Sequence, residues 1–483
     1  MALAFQHQML QILERPLSNS MKTFPFALLT LFLITACSEK PSEQAQSKEK
    51  ISPHSFFTSN HSRNAFSVPM KHLNNAEEDL FILGKSFFSI PWVESPASTT
   101  ARDGLGPLFS ANTCKHCHPR NGAGLALTQN NEMSRSLLLR FSHKTSTNQM
   151  LLNKNGFEPD SMYGSQLSQN GNHNVPAEGI PNVRYTEIIG HYADGESYLL
   201  RKPTYVINNL NYGALDSQTV VAPRIGSALI GLGLLENISE KDILKYQDIK
   251  DTNNDGISGK ANYAFDPESN RTKLGRFTWK ASATSVKHQS AAAAHNDMGL
   301  SNPLFPLHNC SEKQLACLKE AQNEEQTFDL PQKRLDAITF YLSHLAIPKP
   351  REVIQENVQS YKKGKSLFTA LNCISCHVAD YTTVKAVTIS PYSDLLLHDM
   401  GEGLADGRSE FLANGSEWRT APLWGIGLYQ RVSGEANFLH DGRARSIEEA
   451  ILWHGGEAQK SKEQFMQLSK KERQSLRLFL ETI

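Results

Sequence analysis

Two short stretches fix what this chain must be built around. Residues 112–122 read NTCKHCHPRNG and residues 372–380 read NCISCHVAD, so Cys114-x-x-Cys117-His118 returns as Cys373-x-x-Cys376-His377. Cysteines three apart put two sulfurs on one side of a helical turn, where they can add across the vinyl groups of a porphyrin. The imidazole that follows points at the iron as proximal ligand. A bare CxxC could instead be redox-active or hold zinc. The histidine decides for covalent c-type haem, with Cys114, Cys117, Cys373 and Cys376 as attachment points and His118 and His377 on the two irons.

Three of the seven cysteines remain. From Met21 the chain reads MKTFPFALLTLFLITACSEK, whose apolar run from Phe24 to Ile34 is too short to span a bilayer but fits a secretory signal. Ile34-Thr35-Ala36-Cys37 resembles a bacterial lipoprotein processing site, with Cys37 lipidated; an ordinary cleaved signal is the alternative. Met1–Ser20 precede a better start at Met21. The leader is therefore read as residues 1–37 and a polar tether as 38–55, placing the protein on the periplasmic side of a bacterial membrane, the outer one by preference, held by its lipid. Export suits the haem reading, and in an oxidising compartment Cys310 and Cys317 are expected to pair as a disulfide. Lysine plus arginine (49) equal aspartate plus glutamate (49), which removes a general electrostatic case for nucleic acid.

At 483 residues the chain predicts two domains or more. LGKSFF (Leu83–Phe88) precedes the first CxxCH and KGKSLF (Lys363–Phe368) the second, an internal repeat that puts a short helix before each motif. Pro348 and Pro350 break the chain between them, giving haem domains at 56–347 and 348–483. Ser469 and Glu472 form a capping box opening a terminal helix to Ile483. Frequent Gly, Pro, Asn and Ser, with no strand–helix alternation, lead to the expected class: mainly α, two cytochrome c-like haem domains with long loop-rich insertions. Inside the first insertion, Asp251, Asn253 and Asp255, followed by Gly256, match the first half of a calcium loop. No glutamate stands at position 12, and an Asn/Asp-rich turn is the alternative.

A larger set of motifs carries a resemblance: DGLGPLF, VPAEG, GLGLLE, DGISG, LGRFTWKA, DMGL, LLLHDMGEGLADGR, WRTAPLWGIG and FLHDGRARSIEEAILWHGGEA. From about Leu73 onward the chain resembles the bacterial di-haem oxidoreductases, distant relatives of the di-haem cytochrome c peroxidases. The resemblance implies peroxidase chemistry, a small cytochrome or cupredoxin as electron donor, and electrons entering at the second haem and passing to the first. His454 lies 14 residues after His440, the offset that the relatives' distal ligand keeps from an HDG motif, and shares a helical face with Ile447, Ala450 and Ile451. It is the expected sixth ligand of the second haem, with Met400 as fallback. A histidine bonding the last carbonyls of its helix is the other reading. The first iron is expected open, with Glu178 as acid–base, at the relatives' distance after the first haem, and Gln166 orienting peroxide. The relatives' tryptophan soon after the first haem is missing; Trp279 or Trp424 would substitute. Two other functions fit the same motifs: a lipid-anchored electron carrier without a substrate, and a redox partner in iron acquisition.

Overall fold

The computed structural model describes residues 52–127, 136–321 and 327–483. The leader, Cys37 and nearly all of the tether lie outside the described residues.

Each half of the sequence repeat builds the same local frame. The Asn75–Ser89 helix starts at a complete capping box between Asn74 and Glu77. It buries Phe81, Phe87 and Phe88 and crosses the Gln332–Ser343 helix at Gly84. A Cβ there would collide with the Ala337 carbonyl, so only glycine allows this approach. The Val358–Ala370 helix repeats the device. Gly364 faces the Ser475 carbonyl of the terminal Lys470–Thr482 helix, which opens at the capping box Ser469/Glu472. One turn on, Phe88 and Phe368 stand 6.5 and 6.3 Å from the rings of His118 and His377. Each CxxCH follows the first helix of such a pair in the chain.

The rest departs from the expected class. The structure is 32% helical and 20% strand, so it is not mainly α, and cytochrome c-like domains are not what it shows. The strand comes largely from the segment after the first motif. Leu137–His143 pairs antiparallel with Thr219–Ile225, and Ile180–His191 with Ser197–Asn208 in a twelve-residue ribbon. Leu137, Leu139 and Phe141 are fully buried, an apolar run typical of a covered strand. The frequent Gly, Pro and Asn that suggested loops instead mark the turns between short strands.

Two large apolar clusters form the core, and each draws residues from both sides of Pro348. One joins Phe66, Phe88, Trp92 and Tyr341 to Trp424, Leu428 and Val432. The other joins Tyr192 and Leu200 to Phe368, Trp418, Phe465 and Phe479. Burying each such side chain contributes about 1.5–3 kcal/mol. Ile347–Pro348 itself pairs with Phe57–Thr58. Among the described residues no helix is long and apolar enough to cross a membrane.

Candidate functional site

Both CxxCH motifs open onto one cavity of about 1180 Å³, lined by Cys114, Cys117, His118, Cys373, Cys376, His377 and His454. That exceeds the range of about 300–1,000 Å³ usual for a single drug-sized ligand. The Cys114–Cys117 turn is capped by Thr113, whose side chain accepts from His116 N. The second motif forms a 3₁₀ turn, Cys373–Ser375, entered through Asn372 in the left-handed region (φ 61°).

The four thiols are not paired with one another. Burial pushes Cys114 and Cys373 up to about 12 and raises Cys117 and Cys376 as well. Thiols held neutral this way are poor redox nucleophiles, which disfavours the redox alternative for a CxxC.

Three histidines share one arrangement. His118 Nδ1 donates to the Ser227 carbonyl (2.8 Å), His377 Nδ1 to the Tyr392 carbonyl (2.8 Å) and His454 Nδ1 to the Ala450 carbonyl (2.6 Å). A carbonyl can only accept, so each ring carries its proton on Nδ1 and keeps its Nε2 lone pair for a metal. Burial lowers His118 and His377 to about 4 and depresses His454 too, keeping all three neutral. His454 lies near enough to His377 to depress it further. The helix from Ile447 ends at Trp453, so His454 is its extended cap (φ −60°, ψ 136°). Its bond to Ala450 is the bland role foreseen for it, yet that bond occupies only one nitrogen. Met400 lines the same cavity, its carbonyl packed against Gly455. Ser446 caps the helix from Ile447 by accepting from Glu449 N, and the Glu449 carboxylate turns to Arg445.

Glu178 does not reach this cavity. It is 2% exposed, and its carboxylate takes Ser168 N and Gln314 Nε2, each at 2.5 Å. Gln314 sits inside the loop closed by the Cys310–Cys317 disulfide. Burial raises Glu178 to about 8. The carboxylate that lines the cavity beside the first motif is Asp297, in the DMGL stretch. Its burial raises its pKa, and its charge in turn raises Cys114 and Cys117. Gln166 Nε2 donates to Asp297 Oδ1 (3.0 Å), and Arg140 Nη2 stands 4.0 Å away. Gln166 is thus one step behind the cavity wall. The DMGL motif contained Asp297 without giving it a role; its partners, Arg140 of the Leu137–His143 strand and Gln166, are remote in the chain.

Residues 252–256 of the Asp251–Gly259 loop are exposed. Asp251 Oδ1 accepts from Asp255 N (3.0 Å) and Gly256 N (3.2 Å), and Asn253 Oδ1 also accepts from Asp255 N (2.9 Å). Oxygens of the expected calcium ligands are engaged by the loop's own amides. Ser258, next in the loop, holds the Glu457 carboxylate (3.0 and 2.9 Å), which in turn takes His398 Nδ1 at 2.6 Å. Asp394 grips the opposite nitrogen at 2.8 Å, and His398 Nδ1 lies 3.6 Å from Cys376 Sγ.

Residues 47–483 match the family model described as "Di-haem oxidoreductase, putative peroxidase". The chain belongs to that family. No curated protein matches it. Among solved structures, the xenon-pressurised hydrazine synthase of Kuenenia stuttgartiensis aligns at 17% identity and a TM-score of 0.23, over 36% of this chain. The alignment spans 63% of that protein's length. Haem as the cofactor of a di-haem oxidoreductase accords with a cavity reached by two CxxCH motifs.

Proposed function

We propose that this di-haem oxidoreductase is an exported, lipid-anchored peroxidase whose two haems are covalently attached at Cys114/Cys117 and Cys373/Cys376. The reading rests on the shared placement of His118, His377 and His454, each with Nδ1 spent on a backbone carbonyl at one cavity. When bound, haem supplies the one-electron chemistry. The chain's own part would be to hold His118 and His377 neutral as ligands for the two irons and to offer His454 as a further ligand at the C-terminal site. At the first site Asp297 would face the reacting peroxide. A small cytochrome or cupredoxin would deliver two electrons, by way of the second site, for each peroxide reduced with two protons to two waters.

Asp297 takes the proton-carrying role first expected of Glu178. It faces the cavity, Gln166 fixes one of its oxygens, and Arg140 offsets its charge. Positioned acid–base groups contribute about 10²–10⁴-fold in rate. Asp297→Asn is expected to lower peroxide turnover by that factor, and Glu178→Gln by less than about tenfold, with optical spectra showing both haems in place. Turnover undiminished in Asp297→Asn removes the assignment. Covalent haem retained through denaturation, and a high-spin signal that disappears on adding peroxide, test the wider reading. Two low-spin irons in both the oxidised and half-reduced protein would turn it into an electron carrier.

A further inference from the structure

Three arginines of the cavity wall, Arg224, Arg408 and Arg419, stand together with Lys280 just behind it. Arg224 (7% exposed), Lys280 (0%), Arg408 (1%) and Arg419 (8%) are all withdrawn from solvent. Asp406 and Glu410 meet the first three. Arg224 contacts both, at 2.5 and 3.4 Å, Lys280 stands 3.7 Å from Asp406, and Arg408 bonds Glu410 at 3.1 Å. Among the described residues, Arg419 bonds only the carbonyls of Thr278 (2.8 Å) and Thr420 (3.0 Å). Asp394, itself held by His398 at 2.8 Å, is the acidic group whose charge reaches Arg419, so four cations share three carboxylates in a place where uncompensated charge is costly. Burial accordingly drags Lys280 down to about 8, and Arg408 and Arg419 to about 10.

His440 adds a second, independent observation. Its side chain is 3% exposed and lines the cavity, yet its Nε2 has no hydrogen-bond partner. The nearest carboxylate oxygen, on Asp441, is 3.9 Å away and already taken by Arg443 at 2.8 Å. The imidazole is stacked on Trp418 at 3.8 Å and 11°. The same indole carries Lys280 Nζ at 4.1 Å and the Arg224 guanidinium at 4.7 Å. That stack pins the orphaned nitrogen beside the cations. Buried donors without partners in native proteins mark a ligand or water still to come.

We propose that this wall is a carboxylate-binding site, with His440 Nε2–H donating to the ligand and Arg419 and Arg224 supplying its counter-charge. The carboxylate has two possible sources, the haem side chains themselves or a free small oxyanion drawn into the cavity. Only the first source rests on the haem reading above.

The test uses purified holoprotein, with Arg419→Gln and His440→Phe, which keeps a stacking ring but loses the nitrogen. Arg419→Lys serves as the charge-retaining control, and melting curves establish which variants fold. Redox titration and calorimetry with formate are run on each. If haem carboxylates fill the site, formate shows no saturable binding. One haem potential then moves negative in Arg419→Gln but not in Arg419→Lys, and His440→Phe perturbs the same haem. If the ligand is free, formate binds wild type saturably and at least about tenfold more weakly in His440→Phe. Unchanged potentials in the folded variants, together with no formate binding to wild type, overturn the proposal. Haem retained after denaturation is measured separately, so an absent cofactor is told apart from an idle wall, which formate still probes.

Discussion

Gly226 is the position where one methyl group tests the placement of the first proximal histidine. It follows the last residue of the Thr219–Ile225 strand, and a Cβ built on it would lie 2.6 Å from His118 Cε1, 2.8 Å from His118 Nδ1 and 2.7 Å from the Cys117 carbonyl. Carbon atoms pack at about 3.5–4.0 Å, so in Gly226→Ala the imidazole must retreat by about 1 Å. The Nδ1–Ser227 bond, now 2.8 Å, would then pass the limit of a useful hydrogen bond. Overpacking costs about 1–3 kcal/mol and a lost bond about 0.5–1.5, so the expected loss is about 2–4 kcal/mol. The backbone contributes nothing, because Gly226 does not occupy the left-handed region. Denaturant unfolding reads the stability, and optical and EPR spectra read the first haem separately from the second. Gly403→Ala is the control. Its Cβ would meet the Trp453 ring at 3.7 Å, an ordinary contact, and should change stability by no more than about 0.5 kcal/mol. If Gly226→Ala matches that control in stability and leaves the first haem's spectrum unaltered, the strand end does not press on His118 and the proximal geometry is wrong.

Two further outcomes are expected. His454→Ala should turn one low-spin iron high-spin while Met400→Leu leaves the spectrum intact; the reverse pattern would transfer the ligand role to Met400, which lines the same cavity. Glu178 should make stability fall with rising pH. Its folded pKa, raised by burial from 4.5 to about 8, means that the folded chain holds this proton more tightly than the unfolded one. The stabilisation is therefore complete below about pH 4.5 and is lost as pH climbs to about 8, at up to about 1.4 kcal/mol per pKa unit. The melting-temperature advantage of wild type over Glu178→Gln should shrink between about pH 5 and pH 8.5, and a constant difference would show that Glu178 is ionised in the fold.

The features legible in the sequence were those written into a few adjacent residues. The CxxCH motifs and the GKS-F repeat survive into the structure as paired frames because a helix crossing needs its glycine on the contact face. A phenylalanine one turn on needs no partner from elsewhere to reach the histidine. Spacing singled out His454, but it lines the cavity as the extended residue after the helix and not from the helical face. What failed was non-local. Strands such as Leu137–His143 acquire their identity from partners some eighty residues away, and their turn residues read as loop. Distance along the chain after the first haem singled out Glu178, but facing the cavity is decided by folding. The fold sends that carboxylate under the disulfide loop and brings Asp297 forward instead.

The same non-locality bears on how the two sites would communicate. A continuous course of covalent and hydrogen bonds runs between the motifs. His118 bonds the Ser227 carbonyl, and two residues earlier the Ile225 carbonyl accepts from Trp279 Nε1 at 2.8 Å. The Trp279 carbonyl accepts from Arg419 N, Thr420 N bonds the Leu396 carbonyl, and Asp394 N bonds the carbonyl of Cys376. Every link joins segments far apart in sequence, and Arg419, a member of the proposed carboxylate site, stands in its middle. Trp279 enters this course through its indole nitrogen, whereas Trp418 lies beside it with two cations over its ring. Nearby positive charge disfavours removing an electron from an indole. Electrons exchanged through an aromatic group between the proposed haems would therefore use Trp279 in preference to Trp418. The missing tryptophan soon after the first haem would then be replaced by one that the fold supplies from 161 residues downstream of His118.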